Sequence, residues 1–250
     1  GFMVLEDLGE QWLFDVLDLA APAPDYAGAL PLLHRLQAVD PAGLPPYSAD
    51  VLEEELSRFP TWFCEGFLGL ALSPQARAVL SGLNTRLIDC ALSQPQVFVH
   101  RDYHCRNLLP QSVGEPGLID FQDALRGPVC YDLVSLLKDC YLRWTPAQVR
   151  RWALMFREQR LAGGLPAAGS EAEFLRWFDW LGLQRHLKVL GNFTRLALRD
   201  GRDRYLGDIP LVLSYIEEVL EAYPELTDFA GWWRSELQPQ LAGLNWGAPS

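Results

Sequence analysis

Three oxygen-bearing side chains in the middle of the sequence are spaced for chemistry. Between Val97 and Asp132 the chain reads VFVHRDYHCRNLLPQSVGEPGLIDFQDALRGPVCYD. Asp102 follows one short apolar run, Asn107 comes five residues later, and Asp120 ends a second apolar run thirteen residues after Asn107. Asn107 and Asp120 offer hard oxygen donors of the kind Mg2+ prefers, with room left for water and nucleotide phosphates. Asp102 would then accept a hydrogen bond from a hydroxyl and aim it at the γ-phosphate of ATP, so the trio suits phosphoryl transfer. Taken singly, each residue has a plainer use, since an aspartate after a strand is commonly a turn former or a helix cap. Only the joint spacing favours a site. A second chemistry is open at the same place. If the segment stayed extended, His100, Asp102 and His104 would share one side and could hold Zn2+ or iron for hydrolysis. That reading leaves Asn107 and Asp120 without a task.

Such a trio needs short strands to gather it and a larger body to hold the strands. Residues 97–99 and 117–120 are compact apolar runs bounded by Gly, Pro or polar residues, and residues 2–6 form another. With a turn at Gly114-Glu115-Pro116-Gly117, the two central segments are expected as neighbouring limbs of one hairpin. The remainder reads as helix. Ser73-Pro74 gives an N-cap and a first-turn proline, followed by Ala76, Val79, Leu80, Leu83 and Leu87 on one face. Thr145-Pro146-Ala147-Gln148 and Ser170-Glu171-Ala172-Glu173 have capping-box spacing, the second opening a helix to about residue 190. A further helix follows Pro210 and stops before Pro224. Residues 20–25, 40–47 and 162–169, rich in Pro, Gly and Ala, are expected as loops. The fold class expected is mainly α with a small β element.

Composition narrows the partners. With 21 basic and 32 acidic side chains the 250 residues carry a formal charge of −11, which suits neither DNA nor RNA. No apolar run approaches the ~18 residues of a membrane span. Five cysteines without a CxxC pair, and no secretory leader, point to free thiols in the cytoplasm. A monomer is expected.

The loop H-R-D-Y-H-C-R-N with I-D-F-Q resembles the aminoglycoside phosphotransferase and choline kinase superfamily, the small-molecule branch of the protein-kinase-like fold. His104, two residues after Asp102, fits that branch's pattern H-x-D-x-H-x-x-N. Within it, H-R-D-Y-H-x-R-N-L, I-D-F-Q-D-A, G-P-x-x-Y-D-L-V-S-L-L and the later G-N-F-T-R-L resemble bacterial anomeric sugar kinases, which phosphorylate the C1 hydroxyl of N-acetylmuramate or N-acetylglucosamine in cell-wall recycling. The resemblance implies the C-terminal lobe of the kinase-like fold, with Asp102 catalytic, Asn107 and Asp120 on Mg2+, and ATP as co-substrate. It implies that Asp132 accepts hydrogen bonds from the catalytic loop and that His100 and His104 brace it. The segment FPTWFCE would bring Trp62 and Glu65 near the sugar, and Asp123 near the metal or the sugar. Arg143, Trp144 and Arg195 are candidates for a substrate carboxylate. An aminoglycoside or choline-type kinase remains an alternative, as does a non-catalytic pseudokinase fragment.

A working kinase also needs a glycine loop and a lysine over the nucleotide. The chain has two lysines, Lys138 and Lys188, both after the loop, and no GxGxxG before His100. The chain is therefore expected to be a piece that starts at the hinge. Residues 1–9 would be the remnant of the hinge strand, and residues 10–250 the helical catalytic lobe with its substrate-binding helices. By the same resemblance the nucleotide would lie against residues 4–8. Glu6, Asp7 and Leu8 would form that wall, with the backbone of Asp7 and Leu8 reading the adenine. Alone, the chain is expected to bind ATP weakly and turn over poorly.

Overall fold

Residues 6–18, 23–112 and 114–249, as described by a computed structural model, form helices around two small sheets. The strand expected over residues 2–6 lies outside the described residues except for Glu6, which is irregular, and so does the part of the nucleotide wall at Val4 and Leu5. A single turn, α1 (Leu13–Val16), leads to α2 (Ala23–Leu36) and α3 (Ala49–Arg58). α3 runs straight on into a wider π-type segment, Phe59–Phe67. α4 (Pro74–Ser93) precedes the strands β1 (Gln96–Val99), β2 (Leu108–Leu109), β3 (Gly117–Leu118) and β4 (Leu125–Pro128). Then come α5 (Tyr131–Leu137), α6 (Pro146–Ala162), α7 (Glu171–Asp200) and α8 (Ile209–Ala222). The short α9 (Thr227–Trp232) and α10 (Gln238–Leu241) complete the described α-helices, with short 3-10 or π-type turns at Asp203–Asp208, Pro224–Leu226 and Trp233–Leu237 between them. None of them is long and apolar enough to cross a membrane.

Local chemistry sets most helix starts. Ser73 accepts the backbone N–H of Ala76, and Pro74 sits where its missing N–H is no loss. At α6 the full box forms: Gln148 N–H donates to Thr145 Oγ1, and Thr145 N–H donates to the Gln148 side chain. At α7 only half of it does. Ser170 accepts from Glu173 N–H, but the Glu173 carboxylate takes the N–H of Gly169, one residue upstream of the expected donor. α7 also runs past the expected end near 190, to a left-handed cap at Gly201 with φ +66°. Gly191 does not stop it, because that glycine serves close packing: a Cβ there would lie 2.5 Å from the carbonyl carbon of Arg58. The loop expected over 20–25 is corrected in part, since α2 has begun by Ala23. Pro24 falls in its first turn, where proline is tolerated.

The β element differs from the single expected hairpin. β1 pairs antiparallel with β4, from Gln96 opposite Pro128 to Val99 opposite Leu125. The second central segment, β3, pairs instead with the two-residue β2, Leu108 opposite Leu118. Strands of two residues leave no period in the sequence, which is why β2 was not visible there.

α7 is the axis of the body, packing against α3 and the π-type segment, α4, α5, α6 and α8. Phe174, Phe178, Leu183, Leu187 and Leu190 of α7 are buried, each contributing roughly 1.5–3 kcal/mol by leaving water. All 7 residues of α5 are buried, including Asp132 and Ser135. A charged side chain in so dry a helix requires partners.

Candidate active site

The loop after β1 is fixed from beneath by Asp132. Its carboxylate accepts the backbone N–H of His100 at 2.7 Å and of Arg101 at 3.0 Å. Burial pushes the Asp132 carboxyl up to about 7, against the opposing pull of those two N–H groups. Beyond it the chain folds into a tight turn. The carbonyl of Asp102 accepts from His104 N–H at 3.1 Å and from Asn107 Nδ2 at 2.9 Å, while Asn107 N–H donates to the His104 carbonyl at 2.9 Å. With Nδ2 committed to the loop, Asn107 keeps its amide oxygen as the acceptor for a cation.

A second run of bonds ties the β2–β3 hairpin to this turn. Ile119 N–H donates to the Asn107 carbonyl at 3.2 Å, and the Ile119 carbonyl meets His100 Nε2 at 3.0 Å. Asp120 follows directly. The carboxylates of Asp102 and Asp120 both lie within electrostatic reach of the His100 ring. Burial dominates there and lowers the His100 pKa, so its neutral ring serves as a strut. His104 is lowered further, to about 4, by burial and by the neighbouring Arg185 cation. Asp120 itself is exposed, and its Oδ1 accepts from Gln122 Nε2 at 2.6 Å.

Backbone strain marks the same place. Among the described residues, the non-glycine residues with left-handed φ are Arg101 at +78° and Asp120 at +68°. One precedes the candidate base and the other is a candidate metal ligand. Such conformations persist only where the surroundings over-determine them.

Behind the loop lies a charged network that spacing did not reveal. Glu55, 1% exposed, meets Arg101 Nη2 at 2.7 Å, Lys188 Nζ at 2.8 Å, Gln184 Nε2 at 3.2 Å and the Tyr47 hydroxyl. Burial would raise its pKa, but Lys188, then Tyr47 and Arg101, outweigh this and hold it below the usual range. Arg185 donates to the Arg101 carbonyl at 3.1 Å and to the Tyr131 hydroxyl at 3.2 Å. A partial signal for this network was present: Gln184 and Lys188, which both meet Glu55, stand four residues apart on one helix. The other lysine, Lys138, is buried against Asp179 at 2.9 Å, so both lysines are structural ion-pair partners.

The remaining candidates are scattered. Glu6 and Asp7 are exposed, Asp7 capping Gly9 N–H at 2.9 Å. Leu8 docks on the β2–β3 hairpin: its carbonyl accepts from Gln111 at 2.9 Å and its side chain fills the space where a Cβ on Gly117 would sit. Trp62 is half-buried on the π-type segment, Glu65 pairs with Arg77, and Asp123 is exposed. Arg195 lies among Arg58, Arg199 and Glu54; burial and then the Arg58 and Arg199 charges lower its pKa. Arg143 is elsewhere, paired with Glu218 and over the Tyr215 ring on α8, and the Trp144 indole donates to Tyr26. Arg143 and Arg195 therefore share no partner and do not form one carboxylate clamp.

The hydrolase alternative is not supported. β1 ends at Val99 and the chain turns at once, so His100, Asp102 and His104 do not alternate along a strand. His100 Nε2 is already held by Ile119, and among the described residues no three His, Cys, Asp or Glu side chains are placed to share a metal.

The description of the phosphotransferase enzyme family (APH) matches residues 1–175. The chain is 42% identical over 229 residues to an N-acetylmuramate/N-acetylglucosamine kinase of Pseudomonas putida, covering 91% of this chain and 67% of that one. For the protein of the same name in Pseudomonas aeruginosa the identity is 42% over 249 residues, covering 99% and 71%. For that of Neisseria meningitidis it is 40% over 231 residues, covering 90% and 69%. A solved glucosamine kinase (crystal form B) aligns with 85% of this chain and 56% of its own at 15% identity and a TM-score of 0.38, a likeness too low to carry a conclusion.

Proposed function

Because the chain belongs to the phosphotransferase enzyme family, we propose that it is the catalytic lobe of an ATP- and Mg2+-dependent kinase of the anomeric hydroxyl of N-acetylmuramate or N-acetylglucosamine. One observation supports the reading above the others. A continuous run of hydrogen bonds, Asp102 to Asn107 to Ile119 to His100, ties the loop that carries the candidate base to the limb that leads into Asp120.

The residues divide the work. Asp102 accepts the hydrogen bond of the C1 hydroxyl, turns its lone pair toward the γ-phosphate and takes its proton as the new O–P bond forms and the bond from the γ-phosphorus to the bridging oxygen breaks, ADP leaving with that oxygen. The amide oxygen of Asn107 and the carboxylate of exposed Asp120 are hard oxygen donors, a set that fits magnesium. Bound there, Mg2+ would neutralise charge on the nucleotide phosphates. His100 and His104, uncharged, keep the turn in shape, and Asp132 holds its backbone. Leu8, seated on the hairpin, supports a nucleotide wall at Glu6, Asp7 and Leu8. Trp62, Glu65, Asp123 and one of Arg143 or Arg195 would line the sugar. A cytoplasmic place suits the five unpaired cysteines, and a monomer is part of the same proposal.

The test is a phosphorylation assay of the full-length protein with ATP and Mg2+ against N-acetylmuramate, N-acetylglucosamine, kanamycin and choline. The expected result is transfer to the two amino sugars with loss of their reducing end, since C1 becomes blocked. Transfer to kanamycin or choline alone overturns the sugar assignment in favour of the aminoglycoside or choline-type alternative. The 250 residues by themselves are expected to turn over poorly; turnover equal to that of a longer form carrying upstream residues contradicts this.

A further inference from the structure

Arg101 is held in a conformation it would not choose. Its φ of +78° lies where a side chain crowds its own backbone. Three groups impose it. Asp132 takes its N–H at 3.0 Å, Arg185 donates to its carbonyl at 3.1 Å, and Glu55 takes its guanidinium at 2.7 Å. The residue it delivers is Asp102. Glu55 and Arg185 come from α3 and α7, 46 and 84 positions away along the chain, and neither belongs to the trio that does the chemistry.

Stability is a poor explanation for this pair. Glu55 is 1% exposed and Arg185 8%, and burying ions is no more stabilising than packing apolar side chains in their place. What an apolar pair could not do is grip a guanidinium and a carbonyl at once. The neighbouring ions are arranged to keep both charged. Lys188 and the Tyr47 hydroxyl face Glu55, while Tyr131 and the Asp102 carboxylate face Arg185.

We propose that Glu55 and Arg185 are positioning residues for phosphoryl transfer: by clamping Arg101 in its left-handed turn they hold the Asp102 carboxylate where the acceptor hydroxyl binds. This deepens the function proposed above and rests on it for the reaction, whereas the clamp itself does not depend on the acceptor.

The experiment compares the full-length protein with Glu55→Gln, Arg185→Met and the double variant Glu55→Gln/Arg101→Gly. Glycine adopts positive φ without help, so it should make the clamp dispensable. Glu55→Gln and Arg185→Met should each lower kcat roughly 10- to 100-fold, with sugar KM within about twofold of the parent. Amide hydrogen exchange across residues 101–107 should become roughly tenfold faster or more in both single variants. In the double variant, kcat and amide protection should recover most of what Glu55→Gln lost. Unchanged kcat in both single variants overturns the proposal, as does a loss that glycine fails to recover. If Glu55→Gln does not fold, Glu55→Asp, which keeps the charge on a shorter stem, takes its place under the same criteria. If the parent transfers phosphate to neither amino sugar, the proposed function fails, and the exchange data still decide the clamp: faster exchange recovered by glycine supports it, unchanged exchange overturns it.

Discussion

On one side of His100 the loop bearing Asp102 is fastened to buried groups. Asp132 holds two of its backbone N–H groups, Arg185 holds a carbonyl, and Glu55 holds the Arg101 side chain. On the other side the limb bearing Asp120 faces water. Phe121 is 64% exposed, Ile119 is 37% exposed, and Asp120 leans on the exposed Gln122. The loop proposed to orient the hydroxyl is thus fastened in advance, and an acceptor set in this way would lose no reorganisation energy at the moment of reaction. The limb proposed to hold the metal is left open, where under the proposed function a nucleotide and its cation would complete it.

That contrast can be broken by substitution, starting where the effect should be largest. In the full-length protein Asp102→Asn should lower turnover roughly 10²- to 10⁴-fold, about 3–5 kcal/mol of barrier, with sugar affinity little changed. Near-normal turnover in steady-state assays would remove the base from the fastened half. Gly191→Ala attacks the support of that half. Its Cβ would press on the Arg58 backbone, so α3 and α7 must part, at a cost of roughly 1–3 kcal/mol or more in chemical denaturation. A variant as stable as the parent would mean that the α3–α7 seam yields easily.

Titration sharpens the comparison. His104 is buried neutral, with its pKa lowered by burial and by Arg185 from the ordinary 6.5 to about 4. The unfolded chain therefore binds more protons than the folded one between those values, and stability falls as pH drops from about 6.5 toward 4. His104→Asn should lack this part of the acid sensitivity, on the order of 3 kcal/mol between pH 7 and 4 by denaturation at each pH. Parallel stability curves for the two proteins would show that the ring is not kept dry. The smallest effect belongs to the open limb. Phe121→Ser should leave stability within about 0.5 kcal/mol, and a larger loss of melting temperature would show that this limb is also fastened.

The sequence by itself determined what near neighbours decide. Ser73, Thr145 and Ser170 start their helices because a cap needs a side chain and an N–H three residues apart. The turn 102–107 is likewise local, closed by Asn107 and His104 on Asp102, so the spacing of Asp102, Asn107 and Asp120 was legible as chemistry. The partner of β1 was not, nor the half-formed box at Ser170, because both depend on which distant backbone group arrives first. Least legible was the network beneath the loop. Nothing in the spacing singles out Glu55, and the helix expected to end near residue 190 shows its full length only when Gly191 is seen packed against Arg58. Tertiary packing alone decided that Glu55, Arg101, Arg185 and Lys188 meet, since an ion becomes a positioning device only when water is excluded and its partners are fixed in number.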